Sequence, residues 1–147
     1  MDIVEKITIV SAGVFFLVGL LTGILKYIQI MRSENAIAHP YIDICHRASL
    51  LYAFATILLL KFVEVSKLPT VIELIAVCSM LVYFGSAILM YLIHGLLQDT
   101  DNQLKPPFKM GSIELPKGAL PLHMWMLIVA EVGGFLVLFY GVLIEVL

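Results

Sequence analysis

Four long apolar runs separated by three polar breaks organise this chain. The first extends from about Val4 to Met31 and is most apolar over Ile9–Leu25. The second extends from about Tyr41 to Val65, centred on Ala48–Phe62. The third covers about Thr70 to Leu97, and the fourth about Leu122 to Val146. A helix that crosses hydrocarbon needs about 20 mainly apolar residues, and each run supplies that length. None alternates apolar and polar residues with a period of two, which argues against a transmembrane barrel. The predicted fold is all-α: one integral membrane domain, a bundle of four transmembrane helices in a lipid bilayer. Its spans are at about 4–31, 41–65, 70–97 and 122–146, with a long loop at 98–121.

Composition agrees with that pattern. Hydrophobic residues make up 61% of the 147 residues and charged residues 14%, and the mean hydropathy is +1.04. Soluble domains carry about 45–50% apolar and about 25% charged residues. The net charge of −2 comes with no basic tract, so no nucleic-acid partner is expected. Cys45 and Cys78 lie in or beside apolar runs and read as small buried hydrophobes rather than a disulfide pair. Near the N-terminus Asp2, Glu5 and Lys6 mix charges and no small-x-small cleavage site follows, so the first helix reads as an uncleaved anchor.

Four spans put both termini on one side, together with the short Ser66–Pro69 turn that makes helices two and three a tight hairpin. The Arg32–Pro40 connection and the 98–121 loop share the other side, the loop face. That face carries Arg32, Arg47, Lys105, Lys109 and Lys117, against Lys6, Lys61 and Lys67 opposite. The excess places the loop face in the cytoplasm, and a bacterial inner membrane is the expected location. Gly19 and Gly23, spaced four apart, and Gly133, Gly134 and Gly141 mark helix faces suited to close packing. Pro69 and Pro121 precede apolar runs, where a missing N–H costs little.

The candidate chemistry rests on histidine. His39, His46, His94 and His123 all fall at the loop-face ends of their spans, and neutral imidazole is the commonest metal ligand. Since all four share one depth, one haem or metal is the maximum expected. His46 enters hydrocarbon on helix two and is the leading ligand. His39, just before Pro40, is either a ligand or a helix cap. Asp43, within a turn of His46, is placed to orient its imidazole. Tyr52 lies deeper on the same helix. His94 follows Tyr91 by three residues near the end of helix three. In helix four, Trp125 is an interfacial anchor, and Glu131 is a carboxylate in the span that should face the bundle or carry a proton. Asp99 and Asp101 lack the glycine and glutamate of a calcium loop and read as a polar turn. The loop that follows is expected to form an ordered lid over the helix ends.

With these residues in view, the chain resembles the styrene oxide isomerases, small four-helix membrane enzymes. The resemblance covers helices two to four. It consists of a histidine near the entry of the second helix (His46-Arg47-Ala48, or Ala38-His39) and of Tyr91-Leu92 late in the third, 45 residues after His46. A long loop with glycine and proline and an apolar fourth helix complete it. The resemblance implies haem b held by one histidine, a trimer with haem between protomers, and rearrangement of an epoxide to an aldehyde on a ferric Lewis acid. Carried over, His46 is the axial iron ligand, and Tyr91 orients a small hydrophobic substrate. Tyr52 stands where the family has a substrate-positioning asparagine, a departure that bears on the epoxide. His39 and His94 are additional, and either would saturate the iron. That would turn the function toward electron transfer or sensing by a bis-histidine haem. A third reading is a cofactor-free accessory subunit whose glycine-rich helices pack on a partner.

Overall fold

A computed structural model describes all residues, 1–147. It contains α1 (Ile3–Arg32), α2 (Pro40–Val65), α3 (Thr70–Leu97) and α4 (Ala119–Val146). All four helices are long and apolar enough to cross a membrane, and the chain is a multi-pass membrane protein. Helices are the economical solution there, because hydrocarbon offers backbone groups no other hydrogen-bond partner.

The helix boundaries have local causes. At the start of α1, the Asp2 side chain accepts the Glu5 N–H at 2.8 Å while Glu5 Oε2 accepts the Asp2 N–H at 2.9 Å, a reciprocal cap. In α2, Pro40 occupies the first turn, where its missing N–H would have had no partner. Gln98 ends α3 in the left-handed region at φ 51°. The fourth helix begins at Ala119, three residues earlier than the apolar run predicts. Pro121 sits within its first turn, so it costs no intrahelical bond. The connection therefore shortens to residues 98–118. It is ordered around a small antiparallel hairpin, β1 (Lys109–Met110) and β2 (Ile113–Glu114), whose bend uses Gly111 at φ 60°.

Helix α2 is central. It packs along α1 on one side and against α3 and α4 on the others, and α1 and α4 have no extensive contact. The interior holds Phe15, Cys45, Leu59, Val77, Met80, Phe84, Ile88 and Leu138 among others. Many large side chains point outward, among them Phe54, Ile75, Val129 and Leu136. That is what a bilayer solvates. Buried Thr8, Ser49 and Thr56 return their hydroxyls to the carbonyls four residues earlier, at 2.6, 2.7 and 2.7 Å, so they add no unpaired group to the core.

Close helix approach is written in glycine, and only partly where expected. Gly19 faces Leu50, Gly95 faces Ile42, and Gly134 lies against the Ala76 carbonyl. Gly141 is buried too, whereas a Cβ on Gly133 would meet nothing within 4 Å. The packing face of α4 is therefore Gly134 and Gly141, with Gly133 turned away from it.

Candidate functional site

His46 sits in the α1–α2 seam. Its Nδ1 lies 2.8 Å from the Gly19 carbonyl oxygen. A carbonyl only accepts, so Nδ1 carries the proton and a neutral ring keeps its lone pair on Nε2. Gly23, one turn on, makes room: a Cβ there would stand 2.9 Å from His46 Cε1. Residues 19 and 23 on α1 thus meet 50 and 46 on α2 as two matched steps of four. The sequence shows both spacings separately, and only their opposition reveals a seat for an imidazole.

Asp43 does not orient His46. Its carboxylate pairs with Lys26 of α1 and, at 2.7 Å, with Arg47 one turn along. Two full charges outcompete a neutral imidazole for the same oxygens. The orienting group expected of Asp43 is instead the Gly19 carbonyl.

The other histidines are engaged elsewhere. His39 caps α2: its Nδ1 accepts the Tyr41 N–H at 3.3 Å, and its Nε2 lies 3.5 Å from Asp101. Nδ1 is therefore committed to the cap, while Nε2 faces the exposed Asp101 carboxylate without a hydrogen bond. The backbone N–H of His39 donates to Gln29 Oε1 at 2.9 Å. His94 is 1% exposed, its Nδ1 is 2.8 Å from Asp99 Oδ1, and Tyr41 lies over it at a ring separation of 5.4 Å. His123 reaches only Ser86, at 3.4 Å, beside the Tyr83 ring.

Asp99 links His94 to the loop, since its second oxygen accepts the Gly111 N–H of the hairpin. Burial works to raise its pKa, but the Gly111 and His94 hydrogen bonds outweigh that and hold it below the ordinary carboxylate value. Tyr41 provides a second anchor, its hydroxyl accepting the Gln103 N–H at 2.6 Å. The loop is thus tied across the bundle end, as its predicted order requires. His94 and Asp99 lie only five residues apart, a spacing that could have suggested the pair.

The two tyrosines lie on the α3 side of α2. Tyr91 stacks on Tyr41 at 6.0 Å and Tyr52 on Phe84 at 4.2 Å. Glu131 of α4 is within electrostatic reach of both, and its Oε1 is buried with no partner. His46 and Tyr91 therefore open on different sides of α2 within one chain. The histidines lie in the loop-face half of the bundle but share neither one depth nor a centre. His46, seven residues inside the His39 cap, sits about 10 Å deeper, against Gly19 midway along α1. His123 stands level with Ser86, eight residues inside His94. No three His, Cys, Asp or Glu side chains converge as a ligand set for a bare metal ion. Comparison with known proteins adds no constraint: no family model, curated protein or solved structure matches this chain.

Proposed function

We propose that this chain is an integral membrane haem b protein with His46 as its axial ligand. It would form a homo-oligomer and rearrange a small hydrophobic epoxide to a carbonyl compound. The observation that carries the reading is the His46 Nδ1–Gly19 hydrogen bond. Histidines that bind metal characteristically donate their second N–H to a backbone carbonyl or carboxylate, which fixes the tautomer and strengthens the free nitrogen as a donor. His46 is also partly exposed. His94 is pinned through Nδ1 as well, yet it is sealed beneath Tyr41. His39 is tied at Nδ1 to the start of α2, and its Nε2 faces Asp101. Neither is a ready second ligand, and His123 stands on α4 beside Ser86 of α3, away from the α1–α2 seam that holds His46, which favours an open iron position over the bis-histidine alternative.

When bound, haem iron with one open position supplies a Lewis acid for an oxygen ligand. The chain's own residues do the rest. Tyr91 and Tyr52 carry hydroxyls able to donate a hydrogen bond to a substrate oxygen, and the aromatic and aliphatic surroundings exclude water. Since these tyrosines open away from His46, a site using both would take its tyrosine and its histidine from different copies. That geometry supports an oligomer, with a trimer as the form suggested by the resemblance.

The test is an absorption spectrum of the detergent-purified protein, oxidised and then dithionite-reduced, after expression with ample haem. A Soret band should shift on reduction in wild type and in His94→Ala, and should be lost in His46→Ala and restored by added imidazole. Carbon monoxide should bind readily. A colourless wild type, or full haem content in His46→Ala, overturns the proposal.

A further inference from the structure

At the loop-face end of α1 lies a cavity of about 550 Å³, bounded by the last turns of α1, the connection to α2 and the end of α3. Its wall is divided: Leu25, Ile28 and Ile37 are apolar, while Gln29, Arg32 and Gln98 are polar. No carboxylate lines it. Arg32 makes no ion pair within the chain, whereas Lys26 and Arg47 both pair with Asp43. Gln29 is fixed in place, since its Oε1 accepts the His39 N–H and its Nε2 lies 3.4 Å from the Gly95 carbonyl. Of the lining residues only His39 makes an ion pair, with Asp101 at 3.5 Å from Nε2.

Position adds to chemistry. The apolar run of α1 ends at Met31, so the cavity straddles the boundary between hydrocarbon and headgroups. The C-terminus of α1 contributes about half a negative charge here, and the full charge of Arg32 exceeds it. A guanidinium suits phosphate oxygens because its donors match them in pairs. Basic recesses at helix ends are a recurring way to hold lipid headgroups.

We propose that this cavity binds an anionic phospholipid, with Arg32 on the phosphate and the Leu25–Ile28–Ile37 wall against the glycerol and first acyl carbons. A free phosphate ester shares the phosphate chemistry but has no use for that wall.

Native mass spectrometry of the detergent-solubilised protein tests this, with phosphatidylglycerol and phosphatidylcholine of matched chains. Wild type should prefer phosphatidylglycerol by about tenfold, equivalent to about 1.4 kcal/mol. Arg32→Gln should lose the preference, and Arg32→Lys should keep part of it. Lys117→Gln removes an exposed loop-face charge outside the cavity and should leave the preference intact. Arg32 is exposed, so its variants should elute as wild type does. Equal binding of both lipids overturns the proposal, as does a preference that survives Arg32→Gln or falls equally in Lys117→Gln. Displacement by millimolar glycerol 3-phosphate overturns the lipid assignment in favour of a soluble phosphate ester.

Discussion

Replacing Gly23 by alanine tests the imidazole seat directly. The added Cβ would stand 2.9 Å from His46 Cε1 and 3.1 Å from Nδ1, against about 3.5–4.0 Å for a relaxed contact between carbons. The ring must therefore retreat by roughly 0.5–1 Å. Its Nδ1 is at 2.8 Å from the Gly19 carbonyl, so a retreat of that size takes the bond past its useful range. Losing the bond costs about 0.5–1.5 kcal/mol, and overpacking a close seam costs about 1–3 kcal/mol. Alanine also gains up to about 1 kcal/mol of helix propensity, which would hide part of the loss. Gly13→Ala on the same helix supplies the correction, because a Cβ there meets nothing within 4 Å. The difference between the two variants carries the clash and the lost bond together, at about 1.5–4.5 kcal/mol. Reversible unfolding in mixed micelles measures it, and the ¹⁵N resonance of His46 Nδ1 reports the bond. Equal stability of the two variants, with an unmoved His46 resonance, refutes the seat.

Three further outcomes follow from the same contacts. Gly134→Ala would place a Cβ 2.8 Å from the Ala76 backbone oxygen, which cannot rotate away. It should lose about 1–3 kcal/mol in mixed-micelle unfolding relative to Gly133→Ala. Because Asp99 titrates below its ordinary value of 3.8, the clasp it makes contributes fully above that pH and is lost as pH falls through the lowered folded value. Protection of the Gly111 amide from hydrogen exchange, taken against its intrinsic rate at each pH, should accordingly fall under acid in wild type, and already be low near neutrality in Asp99→Asn. Glu131→Gln should be at least as stable as wild type in the same unfolding assay, since Oε1 has no partner to lose and a buried carboxylate is costly. A loss above about 1 kcal/mol would reveal a partner that the bundle supplies.

The residues divide by the range of the forces that place them. The extent of the four helices was legible in the sequence, because hydrocarbon forces each apolar run of sufficient length into a helix. The start of α2 at Pro40 and the tight Ser66–Pro69 turn were legible for local reasons, as both depend on backbone groups a few residues apart. That the histidines fall in the loop-face half was readable too, but their common depth was not met, because His46 and His123 lie well inside the helix ends that carry His39 and His94. The early start of α4 was obscured by Pro121, which looks like a break but sits harmlessly in a first turn.

What only the tertiary structure decided is rotation: which side of each helix meets which neighbour. That is set by contacts between residues far apart in sequence, such as Gly19 with Leu50, Gly95 with Ile42 and Gly134 with Ala76. It gives His46 the Gly19 carbonyl, sends Asp43 to Lys26, buries His94 on Asp99, and turns Tyr52 and Tyr91 to the other side of α2. Hydropathy fixes how deep a side chain lies because lipid acts on every helix alike. It cannot fix azimuth in such apolar helices, where close packing between particular backbones makes the choice.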